Sequence, residues 1–153
     1  MSGGPKRLEA REYEPLVFPV PPLVPSDEER QWDAAMQCWR RAHRFRQRAE
    51  RVLRWREISF SRWQVLEATQ RLIREQDDAV SQRDVSRRSD LPKSSVSELL
   101  RALKLEGLVD IRPDAWGVFD RIWVTKAGEQ LITKLRPELV RVARTIMGIT
   151  LPE

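Results

Sequence analysis

The sequence predicts a mainly α-helical chain with one small β-hairpin, and three observations predict it. SSVSELLRALKLEGLV, residues 94–109, carries helical periodicity up to a glycine stop. LVDIRPDAWGVFDRIWVT overlaps its end and reads as two apolar strands around a polar loop that contains Gly117. Upstream, no proline interrupts residues 26–91, and apolar side chains recur there at three- and four-residue steps. A helix, a tight exit and a hairpin in that order make a winged helix, in which the second helix of a helix-turn-helix is offered to the major groove of a duplex.

Composition sets the outer bounds. At 153 residues the chain suits one domain with a core rather than two. Its 28 Lys and Arg stand against 23 Asp and Glu, a net +5, which suits a polyanionic partner without requiring one. The excess is uneven: residues 27–58 hold nine Arg against six acids, whereas residues 108–125 hold two Arg against three Asp, so the hairpin is not where the positive charge sits. Cys38 stands alone and excludes an internal disulfide or a cysteine zinc cluster, and His43 is the one histidine; no metal and no cofactor are expected. A reducing, cytoplasmic setting follows as the default. No apolar run approaches the roughly 20 residues of a membrane helix, and PLVFPVPPLVP at residues 15–25 is too broken by prolines for a signal peptide. There is no paired His and carboxylate spacing, no phosphate-cradling glycine loop and no GxSxG, so no catalytic residues are assigned and an enzyme is not expected.

Taken in order, the elements justify themselves locally. Six of the ten prolines lie in residues 1–25, which excludes a helix there and predicts an extended arm, made apolar enough by Tyr13, Leu16, Val17 and Phe18 to lie on protein surface. Ser26 and Glu29 form a capping-box pattern that opens a long amphipathic helix with Trp32, Ala35, Met36, Trp39, Ala42, Ala49, Val52 and Leu53 as one stripe. Ser59 or Ser61 caps the next helix, which buries Trp63, Val65, Leu66, Thr69, Leu72 and Ile73 and ends at Asp77 and Asp78. Ser81 with Asp84 is a second capping-box pattern and starts a short helix centred on Val85, with Leu91 closing onto it. The following helix runs from about residue 93 to 106, with Pro92 in its first turn and Gly107 at its end. In it Val96, Leu99, Leu100 and Leu103 share one face, while Ser94, Ser97, Glu98 and Arg101 share the opposite one. After the hairpin Thr125 caps a helix with Leu131, Ile132 and Leu135, which Pro137 is expected to interrupt before a last apolar helix through Met147.

These residues resemble a known family. SSVSELLRALKLEGLV, the IRP after it and VTKAGEQL are similar to the recognition helix, wing and post-wing helix of the multiple-antibiotic-resistance regulator (MarR) family, and ISFSRWQVLEATQRL to its second helix. The similarity covers roughly residues 58–131 and weakens on either side. It implies a winged helix-turn-helix module at residues 58–125 and dimerisation helices at residues 26–57 and 126–153, making residues 26–153 one domain. A homodimeric repressor on double-stranded DNA is the implied function. A winged helix used for protein–protein contact and a replication or segregation protein on the same module are the alternatives.

The expected DNA-binding residues are Lys93, Ser94, Ser95, Ser97, Glu98 and Arg101 on the recognition helix, with Arg112 and Arg121 on the wing. Arg reads guanine, Glu accepts from cytosine N4, and Ser serves bases or phosphates. The wing departs from the family, whose Asp-x-Arg pair is replaced by Trp116, Gly117 and Val118; Trp116 and Phe119 are then candidates for stacking at DNA or packing on protein, the second being preferred. The resemblance also implies a small aromatic effector, for which Trp39, Trp55 and Trp63 with Arg54 or Arg62 would form a pocket, although aromatics at helical spacing ordinarily make core. Cys38 beside Trp39 is expected to be structural rather than redox-sensing.

Overall fold

The computed structural model describes residues 24–148, so most of the proline-rich arm and the last five residues of the expected C-terminal dimerisation segment lie outside the described residues. The elements are α1 (Asp27–Arg54), α2 (Phe60–Gln76), α3 (Gln82–Ser89), α4 (Lys93–Leu105), β1 (Val109–Pro113), β2 (Asp120–Val124) and α5 (Lys126–Met147). This is a mainly helical winged helix-turn-helix: α3 and α4 are the helix pair, β1 and β2 the wing, and α1 and α5 pack along each other outside the module.

The caps fall where short polar side chains can reach free backbone N–H groups. Ser26 Oγ accepts from Glu29 N at 3.2 Å while the Glu29 carboxylate accepts from Ser26 N at 2.6 Å, the reciprocal box that the sequence pattern suggests. Ser59, not Ser61, caps α2. At Ser81 only half of a box forms: its Oγ accepts from Asp84 N at 3.2 Å, but the Asp84 carboxylate takes the Ser81 hydroxyl at 2.6 Å instead of the backbone N–H. Pro92 stands one place before the first turn of α4, as an extended N-cap residue. Gly107 at φ +74° lets Leu108 N donate back to Leu103 O at 2.9 Å, so α4 stops within one residue and the chain turns straight into β1.

α2 is the central helix and touches α1, α3, α4, β2 and α5. Val65 and Leu66 on it meet Val85, Val96, Leu103, Ile122, Ile132 and Leu135 in one continuous buried core. The hairpin is antiparallel, with Ile111 opposite Ile122 facing inward and Asp110 opposite Trp123 on the other face. Val80 adds a bridge that the sequence reading lacked: its N donates to Ile122 O and its O accepts from Ile122 N, tying the α2–α3 connection to the wing. At the wing base Thr125 Oγ1 donates to Gly107 O at 2.6 Å and accepts from Gly128 N at 3.1 Å. The first turn of α5 therefore presses on the exit of α4. A Cβ at Gly128 would stand 2.3 Å from Leu108 O and 2.7 Å from Val124 Cγ1, so glycine is required there by contact rather than by backbone conformation.

Two expectations are corrected. Pro137 does not divide the last helix, and α5 runs through it. Proline removes one N–H bond and strains the preceding turn, but Ile132, Leu135 and Leu139 are buried on both sides of it, and that packing holds the two halves in line. The single apolar stripe of α1 is in fact two faces. Phe45, Ala49 and Val52 turn towards the core, whereas Trp32, Met36, Trp39 and His43 follow each other along a line roughly 140° away around the helix. Trp32 and Trp39 are exposed, and Trp39 stacks on His43 with ring centroids 5.2 Å apart.

Candidate functional site

The outward face of α4 is the place where polar side chains are gathered without internal partners. Lys93, Ser94, Glu98 and Arg101 are exposed, and Ser95 and Ser97 flank them half-buried. Among the described residues none of these side chains takes part in a hydrogen bond or ion pair, whereas most other arginines near the module do. Opposite them Val96, Leu100 and Leu103 are buried, so the burial of one face fixes the aim of the other.

The turn that delivers α4 is held by side chains bonding to backbone. Gln82 Nε2 donates to Lys93 O at 2.9 Å, Ser86 Oγ to Leu91 O at 2.7 Å, and Gln64 Nε2 to Ser89 O at 3.1 Å. These three bonds join α2, α3 and α4 at one corner. Asp90 completes it in the left-handed region at φ 55°, which Asp tolerates better than most residues.

The wing arginines are differently placed from those of the helix. Arg112 and Arg121 stand directly opposite each other across the hairpin, an arrangement of like charge that is unfavourable unless each finds an anion. Arg112 Nε bonds Asp110 at 2.7 Å, and Arg121 pairs with Asp78 at the end of α2. The Arg121 hydrogen bond, helped by the N–H of Ala79, holds the Asp78 carboxyl below its ordinary range. Arg121, expected as a free donor to DNA, is thus a tether between the wing and the α2–α3 corner.

The loop between the strands is built around Asp114. Its Oδ1 accepts from Trp116 N at 3.1 Å and Val118 N at 2.9 Å, while Asp114 N donates to Phe119 O at 2.7 Å and Gly117 N to Asp114 O at 3.0 Å. Desolvation pushes this carboxyl up, but the surrounding backbone N–H groups outweigh it and hold it below the ordinary range. Trp116, Val118 and Phe119 are left outside, 87%, 67% and 68% exposed, so the packing expected for Trp116 and Phe119 is not found within the chain.

The expected tryptophan pocket does not form within the chain. Trp39 and Trp55 lie 16 positions apart on and just beyond α1, about 24 Å along a helix. Trp55 is exposed, whereas Trp63 is in the core. Arg62 is engaged too: it bonds Ser59 Oγ and forms an ion pair with Glu106 at the end of α4. A cavity of about 280 Å³ does lie at this junction, lined by Glu50, Arg54, Glu57, Ile58, Ser59, Phe60 and Arg62. Phe60, which the sequence reading passed over, supplies its aromatic wall and meets Phe45 edge to face at 6.1 Å. Arg83 and Arg87 were also passed over. They lie at i and i+4 on α3, exposed and without an ion partner among the described residues. The signal was the arginine spacing in QRDVSRRS, overshadowed by Val85. Cys38 is exposed. Among the described residues no cluster of His, Cys, Asp and Glu is arranged to hold a metal, and no helix is long and apolar enough to cross a membrane.

Comparison with known proteins follows these lines. Residues 71–112, from late α2 into β1, match the IclR helix-turn-helix domain family. No curated protein matches the sequence. Among solved structures, a MarR-family transcriptional regulator from Rhodococcus sp. RHA1 superposes with a TM-score of 0.66 at 21% identity, covering 78% of this chain and 83% of its own. CouR from Rhodococcus jostii RHA1, bound to p-coumaroyl-CoA, gives 0.66 at 21% identity over 77% and 81%. The S. aureus MepR–DNA complex gives 0.62 at 23% identity over 84% and 87%. The fold is therefore the one these MarR-family regulators share, as the sequence resemblance implied.

Proposed function

We propose that this chain, having the fold of MarR-family regulators, is a sequence-specific double-stranded DNA-binding transcriptional regulator, a homodimeric repressor on a pseudo-palindromic operator. The observation that carries the reading is the unengaged polar face of α4, held on a clamped corner beside the wing. Arg101 and Glu98 supply the donor and acceptor that base edges in a major groove require, and Ser94 and Ser97 complete the row. Lys93, Arg83 and Arg87 are suited to phosphates on either side, since the first helix of the pair crosses the backbone. Arg112 serves phosphate at the wing base.

Dimerisation through α1 and α5 is part of this reading. Trp32, Met36 and Trp39 form an apolar line that the chain's own core leaves uncovered, and Ile146 and Met147 at the end of α5 are half-buried. A second copy related by a two-fold axis would cover both and place two α4 helices for two half-sites. A small aromatic effector fits the cavity at Phe60, where Arg54 and Arg62 offer positive charge; engaging Arg62 there would release Glu106 at the end of α4.

The test is a footprint on genomic duplexes bound in a salt-dependent manner. Two protected half-sites about 10 base pairs apart, centre to centre, at a promoter are expected. Protection confined to a replication origin would favour a replication or segregation protein. Binding that shows no dependence on salt or duplex would favour a protein-contact module, the reading to which the apolar wing tip lends some weight.

A further inference from the structure

The wing tip is the largest exposed apolar feature next to the α4 face, and its chemistry is unlike the rest of the surface. Residues 113–120 contain no Lys or Arg. The Asp114 carboxylate is turned inward on the N–H groups of Trp116 and Val118, and Gly117 at φ +68° closes the turn. Much of the loop's polarity is satisfied internally while its apolar side chains point outward. The tip is continuous with α4, because Gly107 joins helix to strand and Lys104 Nζ donates to Ile111 O at 3.3 Å. Arg112 and Arg121 lie behind it on one face of the hairpin, a few residues from Trp116.

Resting on the DNA-binding reading above, we propose that the wing enters the minor groove beside each major-groove half-site and wedges Trp116, backed by Val118 and Phe119, against a base step. The minor groove is only about 6 Å wide, and its A·T floor offers acceptors that this tip has no side-chain cation to meet. An apolar side chain instead gains by partial intercalation, unstacking the step and kinking the duplex. The internally held loop suits that task, since a rigid tip loses little freedom on insertion. The arginines behind it are placed to meet the flanking phosphates, offsetting the repulsion of Asp120. The wedge would favour TA or CA/TG steps in the flanks, which unstack most easily, and so would add specificity at positions where the wing has no hydrogen-bonding side chain.

The test takes duplexes selected by the full chain from a random-sequence pool and replaces flanking adenines, one at a time, with 2-aminopurine, which brightens when unstacked. The parent should brighten one flanking step per half-site. Trp116→Ala should abolish the brightening and weaken binding about tenfold, the loss expected of one aromatic–base stack. The log–log salt slope should stay unchanged, because no cation is removed. Trp116→Phe should keep much of both signals, and at an exposed position neither change should unfold the chain. Undiminished affinity and brightening in Trp116→Ala would overturn the wedge while leaving DNA recognition by α4 intact. Intact duplex affinity with altered sedimentation would assign the tip to protein contact instead and overturn it as well. A parent that selects no duplex would remove the DNA-binding reading and the wedge together.

Discussion

Leu103→Ala lowers the free energy of unfolding by about 2–5 kcal/mol, the range for removing a fully buried leucine that its surroundings cannot collapse around. Leu103 is fully buried on the inner face of α4, and its carbonyl accepts the Leu108 N–H that turns the chain into the wing. The vacated space would open where α4 and the first strand meet the core. Against a typical total stability of about 5–15 kcal/mol this is a large fraction. Duplex affinity should fall with it, although Leu103 faces away from the groove, because the helix that carries Arg101 loses its seat. Urea unfolding followed by far-UV circular dichroism measures the change. A loss below about 1 kcal/mol, under the usual cost of such a truncation, would show that α4 is not seated through this residue.

Trp32→Ala combined with Trp39→Ala raises the dimer dissociation constant roughly a thousandfold. Buried aromatic anchors at the centre of an interface typically contribute about 2 kcal/mol or more each, and about 4 kcal/mol is nearly three decades of affinity. Neither side chain is needed by the monomer's own core, since both lie on the uncovered line of α1. The double variant should therefore fold normally and sediment as a monomer at concentrations where the parent is a dimer. An unchanged dimer would place the interface elsewhere and remove the argument for half-sites one helical turn apart.

The elements were legible in the sequence wherever the signal was local. Ser26, Ser59 and Ser81 announce helix starts because a side chain three residues from an N–H needs no tertiary partner. Gly107 announces the end of α4 for the same reason. Pro137 misled because its effect is set by packing rather than by propensity: the buried Ile132, Leu135 and Leu139 hold the helix through it. The two faces of α1 were merged because periodicity tells which positions are apolar and not which neighbour covers them. At the site, the aim of Ser94, Glu98 and Arg101 could be read from the buried positions behind them. The pairing of Arg121 with Asp78, 43 residues apart, could not. Nor could the inward turn of Asp114, which converts an acidic-looking loop into an apolar tip. Trp39, Trp55 and Trp63 failed as a pocket because their place along the chain says nothing about which ends of long helices meet.

The central claim is that α4 reads base edges while the wing base holds phosphate, and one measurement separates the two: affinity over a salt series on operator and scrambled duplex for Arg101→Ala and Arg112→Ala. Arg101 is exposed and unpaired on the α4 face, whereas Arg112 stands on the hairpin against Asp110. Arg101→Ala is expected to cost about 1–3 kcal/mol on operator, with little change on scrambled DNA, and to relax preference at one position in each half-site. Arg112→Ala is expected to weaken both duplexes alike and to make the log–log salt slope shallower by about one unit. If Arg101→Ala instead lowers both affinities by the same factor, α4 is not reading sequence at Arg101, and the account of this chain as a sequence-specific regulator is contradicted.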